Sequence, residues 1–159
     1  YLKAAEMIKK KYPRVEFYVI GDTDSNPGSI KKGDIIKFVE KGIVQWPGFV
    51  EVKPWLEKSS IFVLPSYREG MPRSTQEAMA IGRPVITTDV AGCRDTVVDG
   101  VNGFIIPSRN VTLLAEAMER FILNSELIKK MGKESRRIAE QKFDAELKNR
   151  IIMDEMGLI

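Results

Sequence analysis

The chain has 159 residues, with 43% hydrophobic side chains, 30% charged side chains and a formal net charge of +3. This length allows one domain with a buried core, and no apolar run approaches the roughly 20 residues that a membrane span needs. The small net charge, with lysines spread along the chain, predicts no nucleic-acid binding. One cysteine, Cys93, excludes an internal disulfide and fits a reducing, cytoplasmic compartment, and the lack of histidine excludes imidazole catalysis by this chain.

The amino-terminal residues already follow a helical pattern. Tyr1 is not an initiator methionine, no signal-peptide pattern follows it, and residues 2–11 carry apolar and polar side chains at helical spacing. We therefore expect the chain to be part of a longer protein.

Short apolar runs and helical patterns alternate along the chain. The predicted strands are residues 15–20, 43–46, 61–64, 85–88 and 103–106. The predicted helices are residues 2–11, 30–40, 53–58, one that opens at Pro72, a single turn at 93–98, 111–123 after the cap Asn110, one from Asn124 and Ser125 to about Phe143, and 145–156. This alternation predicts an α/β fold, a Rossmann-like parallel sheet of five strands with helices on both faces and a ligand crevice at the strands' carboxyl ends.

The stretch 65–80 connects the central predicted strand to a helix. Pro72 suits the first position of that helix, and Gly82 followed by Pro84 ends it. The loop then places Glu69 at the carboxyl end of the strand, and Glu77 lies about one turn into the helix.

The opening of this helix predicts a phosphate site. The amides of Arg73 and Ser74 have no partner within the helix and lie at the positive end of its dipole. A phosphate group is a natural ligand there. The residues alone leave open why two carboxylates flank the site.

The segment 65–86 resembles the signature of the retaining nucleotide-sugar glycosyltransferases of family 4, which have the GT-B architecture. The hallmark of that signature is two glutamates eight positions apart, here Glu69 and Glu77. Further matches lie at residues 19–22, 88–95 and 99–104, so the resemblance extends over nearly the whole chain.

The resemblance implies a role for each part of this stretch. Glu69, the candidate catalytic residue, would accept hydrogen bonds from the donor sugar, and Glu77 would hold the two ribose hydroxyls. The sugar and the diphosphate would meet four backbone amides, those of Gly70, Met71, Arg73 and Ser74. The base, read as uracil, would lie near Gly21 and Phe49. Pro72 removes one amide that other members offer.

The resemblance also implies the reaction. This chain would be the carboxyl-terminal, donor-binding domain of an enzyme that moves a hexose or N-acetylhexosamine from a UDP-sugar, with retention, to a polysaccharide or lipid-linked oligosaccharide. Residues 66–73 are most similar to bacterial capsule and lipid-linked-glycan enzymes. No metal and no cofactor beyond the nucleotide-sugar are expected.

The rest of such an enzyme is expected before Tyr1. The amino-terminal GT-B domain of the same chain would hold most of the acceptor site. The first strand of the present domain, followed by an arginine and a lysine that neutralise the diphosphate, would also precede Tyr1. The isolated chain is therefore expected to be inactive.

Two features have alternative interpretations. Asp22-Thr23-Asp24 resembles the Asp-x-Asp metal clamp of the other large glycosyltransferase architecture, but it follows a strand where family 4 members carry a Gly-Asp-Gly loop. A basic cluster is interpreted as a solvated face, with peripheral contact to a membrane surface as the alternative. Its members are Lys129, Lys130, Lys133, Arg136 and Arg137.

Two other functions compete with a transferase. A GT-B UDP-sugar epimerase uses different acid and base residues, and the spacing of Glu69 and Glu77 disfavours it. A non-catalytic nucleotide-binding module of the receiver type needs an aspartate at the end of a central strand, where this chain has Leu64-Pro65-Ser66.

Overall fold

The protein is described from a computed structural model that covers residues 1–23 and 30–158. The strands are β1 (Tyr18–Ile20), β2 (Gln45–Gly48), β3 (Phe62–Leu64), β4 (Val85–Thr88) and β5 (Gly103–Ile106). The helices are α1 (Leu2–Lys11), α2 (Lys32–Glu40), α3 (Lys53–Lys58), α4 (Arg73–Ala80), α5 (Val111–Leu123), α6 (Glu126–Lys142) and α7 (Ala145–Glu155).

All strand pairings are parallel, but they form two sheets rather than the single five-stranded sheet that the sequence predicts. One sheet has the order β1-β2 and the other has the order β3-β4-β5. Each sheet pairs strands that are consecutive in the chain, and no strand pairing among the described residues joins β1 to β3. The prediction of one continuous sheet is therefore wrong for this chain.

Helices cover both faces of the larger sheet, because alternate residues of each strand point to opposite sides. Ile86 and Phe104 belong to a core shared with α1, α2 and α5. Val85 and Ile105 face the opposite side, where they pack with Met79 of α4 and with α6. All four residues of β4 are buried, as expected for the middle strand of a parallel sheet.

The second strand begins two residues later than the sequence predicts. The Ile43 amide donates to the Phe38 carbonyl and so closes the turn that follows α2. Gln45 and Gly48 pair with Tyr18 and Ile20 of β1. Pro47 lies inside β2 and not beyond it. This is compatible with β2 being an edge strand, because a proline there need not donate a hydrogen bond to a second neighbour.

The sequence predicts a helical turn over residues 93–98, but residues 93–96 form hydrogen-bonded turns, and Val97 and Val98 belong to no regular element. Side chains hold the backbone here: Asp95 accepts from the Gly92 amide at 3.1 Å, and Asn102 accepts from the Val98 amide at 2.7 Å. Such local bonds offer the backbone an alternative to helix. Cys93 lies in this segment and is fully buried.

The remaining elements follow the predicted pattern closely. The bounds of α1, α3, β4, β5 and α5 are confirmed, and the other ends shift by one to three residues, as helix and strand ends often do. The Asn110 side chain caps α5 by accepting from the Leu113 amide at 2.9 Å. No helix in the covered ranges is long and apolar enough to cross a membrane.

Candidate functional site

The loop between β3 and α4 carries Glu69 in a fixed position. The Ser66 hydroxyl donates a hydrogen bond of 2.6 Å to Oε1 of Glu69, and both residues are half-buried. The other carboxylate oxygen, Oε2, has no hydrogen bond to any described residue. Glu69 therefore presents one held oxygen and one that can accept from a ligand.

The loop is in turn anchored on β4 and the turn that follows it. The Thr88 hydroxyl donates to the Ser66 carbonyl, and the Thr87 hydroxyl donates to the Leu64 carbonyl at 3.0 Å. Gly92 has a φ of 78°, and a Cβ atom there would lie only 1.9 Å from the Gly70 carbonyl oxygen. Only glycine fits this close approach. These contacts hold the backbone on both sides of Glu69.

Helix α4 opens with free amides. The sequence predicts Pro72 as the first helical residue, but its ψ of 116° is extended, so Pro72 is the N-cap and α4 begins at Arg73. Proline offers no side chain for capping, and no acidic residue occupies the first turn. The amides at this end therefore remain available to an anion.

The candidate residues around this helix end are accessible. Gly70, Met71, Arg73 and Glu77 are exposed, and Ser74 is half-buried. Glu77 is the fifth residue of α4. The structure thus brings together, within one loop and the helix that follows it, the predicted sugar, diphosphate and ribose contacts.

The two residues predicted to meet the base lie next to each other on the smaller sheet. The Gly21 amide donates to the Gly48 carbonyl at 2.9 Å, and Trp46 Nε1 donates to the Gly21 carbonyl at 2.8 Å. Phe49, which follows Gly48, is 89% exposed. Each group lies at the carboxyl edge of its own sheet, because Gly21 and Phe49 follow β1 and β2 and the Glu69 loop follows β3. No hydrogen bond in the described part of the chain links the two groups.

One contact at this edge was not foreseen from the sequence. The Arg109 guanidinium, in the connection after β5, lies 5.2 Å from the centre of the Tyr67 ring. Arg109 has a φ of 61°, a left-handed backbone that no other described non-glycine residue adopts. That conformation costs roughly 1–2 kcal/mol, and an exposed cation–π contact returns about 0.5–1 kcal/mol. Stability alone does not explain an arginine here.

The charges of the region are unevenly compensated. Arg94 forms an ion pair with Asp89 at 3.1 Å in the loop after β4. Arg68 and Arg73 form no ion pair with any residue in the described ranges. Their positive charge remains available to an anionic ligand near the opening of α4.

Two further predictions concern metal and membrane contacts. Asp24 of the Asp22-Thr23-Asp24 motif lies outside the described residues, and within them no cluster of three or more acidic or cysteine side chains is arranged for a metal. The basic cluster lies on α6 and is largely internally paired, because Lys129, Arg136 and Arg137 bond to Glu126, Glu140 and Glu134. This pairing agrees with the solvated-face interpretation.

The missed contacts differ in how visible they are in the sequence. Ser66 precedes Glu69 by three residues, a spacing at which a hydroxyl can bond locally. Gly92 lies in a polar loop, where glycine signals a special backbone conformation. The left-handed backbone of Arg109 has no sequence signal, since glycine and asparagine are the usual residues there.

With this geometry in place, comparison with known proteins identifies the family. Residues 1–124 match the family model of the Glycosyl transferases group 1. The chain belongs to this family. This group 1 chain is 31% identical over 152 residues to the capsular polysaccharide biosynthesis glycosyltransferase CapM of Staphylococcus aureus. The match covers 92% of this chain and 38% of CapM.

A second relative of the group 1 chain comes from Campylobacter jejuni. It is the N,N'-diacetylbacillosaminyl-diphospho-undecaprenol alpha-1,3-N-acetylgalactosaminyltransferase, 28% identical over 142 residues. The match covers 89% of this chain and 36% of that enzyme. The chain therefore spans less than half the length of either relative, and the predicted resemblance is confirmed at the level of the family.

Solved structures of GT-B glycosyltransferases share the fold of this group 1 chain. TarM superposes with a TM-score of 0.82 at 26% identity, over 99% of this chain and 31% of TarM. A variant of S. aureus TarM has been crystallised with UDP and alpha-GlcNAc-glycerol. Anabaena HepE in complex with UDP-glucose superposes with a TM-score of 0.79 at 23% identity, over 99% of this chain and 44% of HepE. At this identity, the similarity to HepE shows a shared fold and nothing about function. The predicted α/β, GT-B-type fold is confirmed.

Proposed function

We propose that this chain is the donor-binding domain of a retaining glycosyltransferase that uses a UDP-hexose or UDP-N-acetylhexosamine. The observation that carries the proposal is the opening of α4, where uncapped amides lie between Glu69 and Glu77. Membership of the group 1 family supports a transferase. The complex of a TarM variant with UDP supports the nucleotide.

The proposed roles follow the geometry of the loop and helix. Glu69 accepts from hydroxyls of the sugar through Oε2, since Ser66 occupies Oε1. The amides of Gly70, Met71, Arg73 and Ser74 meet the sugar and the diphosphate. Each hydrogen bond to a charged group contributes about 1.5–3 kcal/mol, and the helix end adds about 0.3–1 kcal/mol. Glu77 binds the ribose hydroxyls.

The base and the charge of the donor complete the site. We propose that uracil packs near Phe49 and reads backbone groups beside Gly21, because these two positions adjoin each other and Phe49 presents an exposed ring. No metal or other cofactor is required, since the helix end and nearby arginines supply positive charge for the diphosphate.

The proposal also includes an acceptor and a second, amino-terminal domain. The named relatives act in capsular polysaccharide biosynthesis and on a diphospho-undecaprenol-linked substrate. We propose a polysaccharide or lipid-linked acceptor, a cytoplasmic enzyme that meets the membrane peripherally, and an amino-terminal GT-B domain of the same chain that holds most of the acceptor site.

The split sheet supports a further segment before Tyr1. In the commonest doubly wound sheet the first strand is central, the second and third strands follow on one side and the later strands on the other. The orders β2-β1 and β3-β4-β5 fit those two sides. We propose that the first strand of this domain lies between β1 and β3, whose apolar residues are only half-buried.

Calorimetric titration of the intact protein with UDP, ADP and GDP tests the proposed site. We expect UDP to bind most tightly and Glu77→Ala to weaken UDP roughly 10- to 150-fold, the loss of about 1.5–3 kcal/mol from one charge-assisted bond. Glu116→Ala, which removes an exposed helical glutamate of α5, is the matched control and should leave the affinity unchanged. The site is refuted if no nucleotide binds, and the role of Glu77 is refuted if both variants bind alike.

A further inference from the structure

The loops after β3 and β5 are joined by a single aromatic contact at the candidate site. Tyr67 is 64% exposed, so burial does not hold its ring in one orientation. The Arg109 guanidinium lies over its ring at 5.2 Å. A planar guanidinium suits this stacking better than a lysine ammonium does.

The backbone around Arg109 fixes where its side chain starts. Ile106 ends β5, and Asn110 caps α5 through its bond to the Leu113 amide, so Arg109 lies between two anchored residues. Its left-handed backbone would suit glycine or asparagine better. Strain of this kind concentrates at functional positions. Within the described ranges, its guanidinium stacks on the Tyr67 ring and forms no ion pair.

Tyr67 in turn lies between Ser66 and Glu69. On the β4 side, the Thr88 hydroxyl holds the Ser66 carbonyl, and Gly92 packs against the Glu69 and Gly70 carbonyls. On the β5 side, Arg109 holds the Tyr67 ring. The loop that carries Glu69 is thus held from both neighbouring connections, and only the β5 contact uses exposed side chains.

We infer that Arg109 is a positioning residue that acts through Tyr67, keeping the Glu69 loop in the conformation that receives the sugar of the donor. This inference rests on the proposed role of Glu69 toward the sugar. It assigns Arg109 no contact with the nucleotide. Loss of the stack therefore affects the sugar-dependent part of donor binding and leaves the nucleotide-dependent part in place.

Backbone order parameters from NMR relaxation of the free, intact protein test the positioning without any ligand. We expect Arg109→Asn, which keeps a residue that tolerates the left-handed backbone, to lower the order parameters of residues 66–71 from the roughly 0.85 of rigid backbone toward about 0.6. Tyr67→Ala should give the same decrease, Tyr67→Phe should give none, and the double variant Tyr67→Ala with Arg109→Asn should add nothing further. Unchanged order parameters in Arg109→Asn overturn the inference.

Arg120→Gln is the matched control. Arg120 stacks on Phe104 at 3.7 Å from the ring centre, on the face covered by α5, so its replacement removes an equal charge and a comparable stack away from the loop. The order parameters of residues 66–71 should match those of the unaltered protein. An equal decrease in this control would mean that Arg109 acts through general stability, which also overturns the inference.

Donor titration separates this inference from the proposed function. The ratio of affinities for UDP and for the tightest binder among UDP-glucose, UDP-galactose and their N-acetylated forms is measured for each variant. We expect Arg109→Asn and Tyr67→Ala to shift this ratio against the sugar by roughly 2- to 5-fold, and Arg120→Gln to leave it unchanged. Failure of the unaltered protein to bind UDP refutes the proposed function, whereas normal binding with an unshifted ratio refutes the positioning role.

Discussion

Glu69 owes its orientation to a neighbour three residues away. The Ser66 hydroxyl bonds to one carboxylate oxygen, and a buried threonine of β4 holds the Ser66 carbonyl in turn. A glutamate in an exposed loop would otherwise sample several rotamers, at an entropic cost when a ligand orders it. The short chain of bonds from Thr88 to Ser66 to Glu69 removes much of that cost in advance.

We expect Glu69→Ala to lower kcat roughly 10- to 150-fold, because it removes the proposed charge-assisted bond to the sugar, worth about 1.5–3 kcal/mol. The affinity for UDP should change little, since the proposed contact of the carboxylate is with the sugar. Ser66→Ala keeps the carboxylate and should give a smaller loss in kcat. Steady-state kinetics of the intact enzyme, paired with UDP titration, checks this division. An equal loss of UDP affinity in Glu69→Ala would contradict it.

The sequence predicts those residues of the candidate site whose type and spacing are distinctive. Glu69 and Glu77 stand eight positions apart beside a helix opening, and the family comparison supports the interpretation of that spacing. Gly92, Arg109 and Tyr67 come together only through contacts between separate loops. A one-dimensional pattern carries no record of such contacts, so their part in the site could not be predicted.

Among the elements, the sequence locates best those that have internal signals at both ends. Helix α5 has a capping asparagine before it and an asparagine after it, and its bounds are confirmed. Strand β2 has no such signals, and its position depends on pairing with β1 across a helix. Pro72 was placed one position too far into α4 because its φ fits both a cap and a first helical residue, and only ψ separates them.

Helix α6 packs against the turn after α4 at a point where Gly132 cannot carry a larger side chain. A Cβ atom on Gly132 of α6 would lie 2.3 Å from the Gly82 carbonyl oxygen, which follows the end of α4. Since α4 opens the candidate donor site, this close contact also fixes the helix whose amides are proposed to bind the diphosphate.

We expect Gly132→Ala to lower the free energy of unfolding by about 1–3 kcal/mol, the usual cost of overpacking. Gly33→Ala in α2 is the matched control, because a Cβ there meets nothing within 4 Å. It should raise the stability by about 0.5–1 kcal/mol, since alanine suits a helix better than glycine does. Urea unfolding of both variants measures the difference. Destabilisation by both, or by neither, would show that the contact is not tight.

At the scale of the whole molecule, the parallel strands of this chain form two separate sheets. The alternation of strands and helices correctly predicts parallel pairing with helices on both faces. It cannot predict the break, because a break depends on which strands are present to fill the centre of the sheet. The half-buried apolar residues of β1 and β3 lie on either side of the proposed central strand.

We expect the amides of β1 and β3 to exchange more slowly in a protein that includes the proposed segment before Tyr1 than in residues 1–159 alone. A parallel strand between them would bond to both edges and bury Val19 and Val63, which are half-exposed here. Strand β4 is already flanked by β3 and β5, so its amides are the internal control. Equal exchange of β1 and β3 in both forms would exclude a central strand.

The burial of Cys93 provides a way to measure local opening of the backbone beside the candidate site. The sole thiol of the chain is fully shielded in the turn that carries Gly92 and presses on the Glu69 loop. A thiol reagent can reach the Cys93 sulfur only when that turn opens. The rate of labelling therefore measures how often the turn beside the candidate site opens. A cysteine introduced elsewhere on the surface would then be the one accessible point for attaching a dye, without first replacing any native residue.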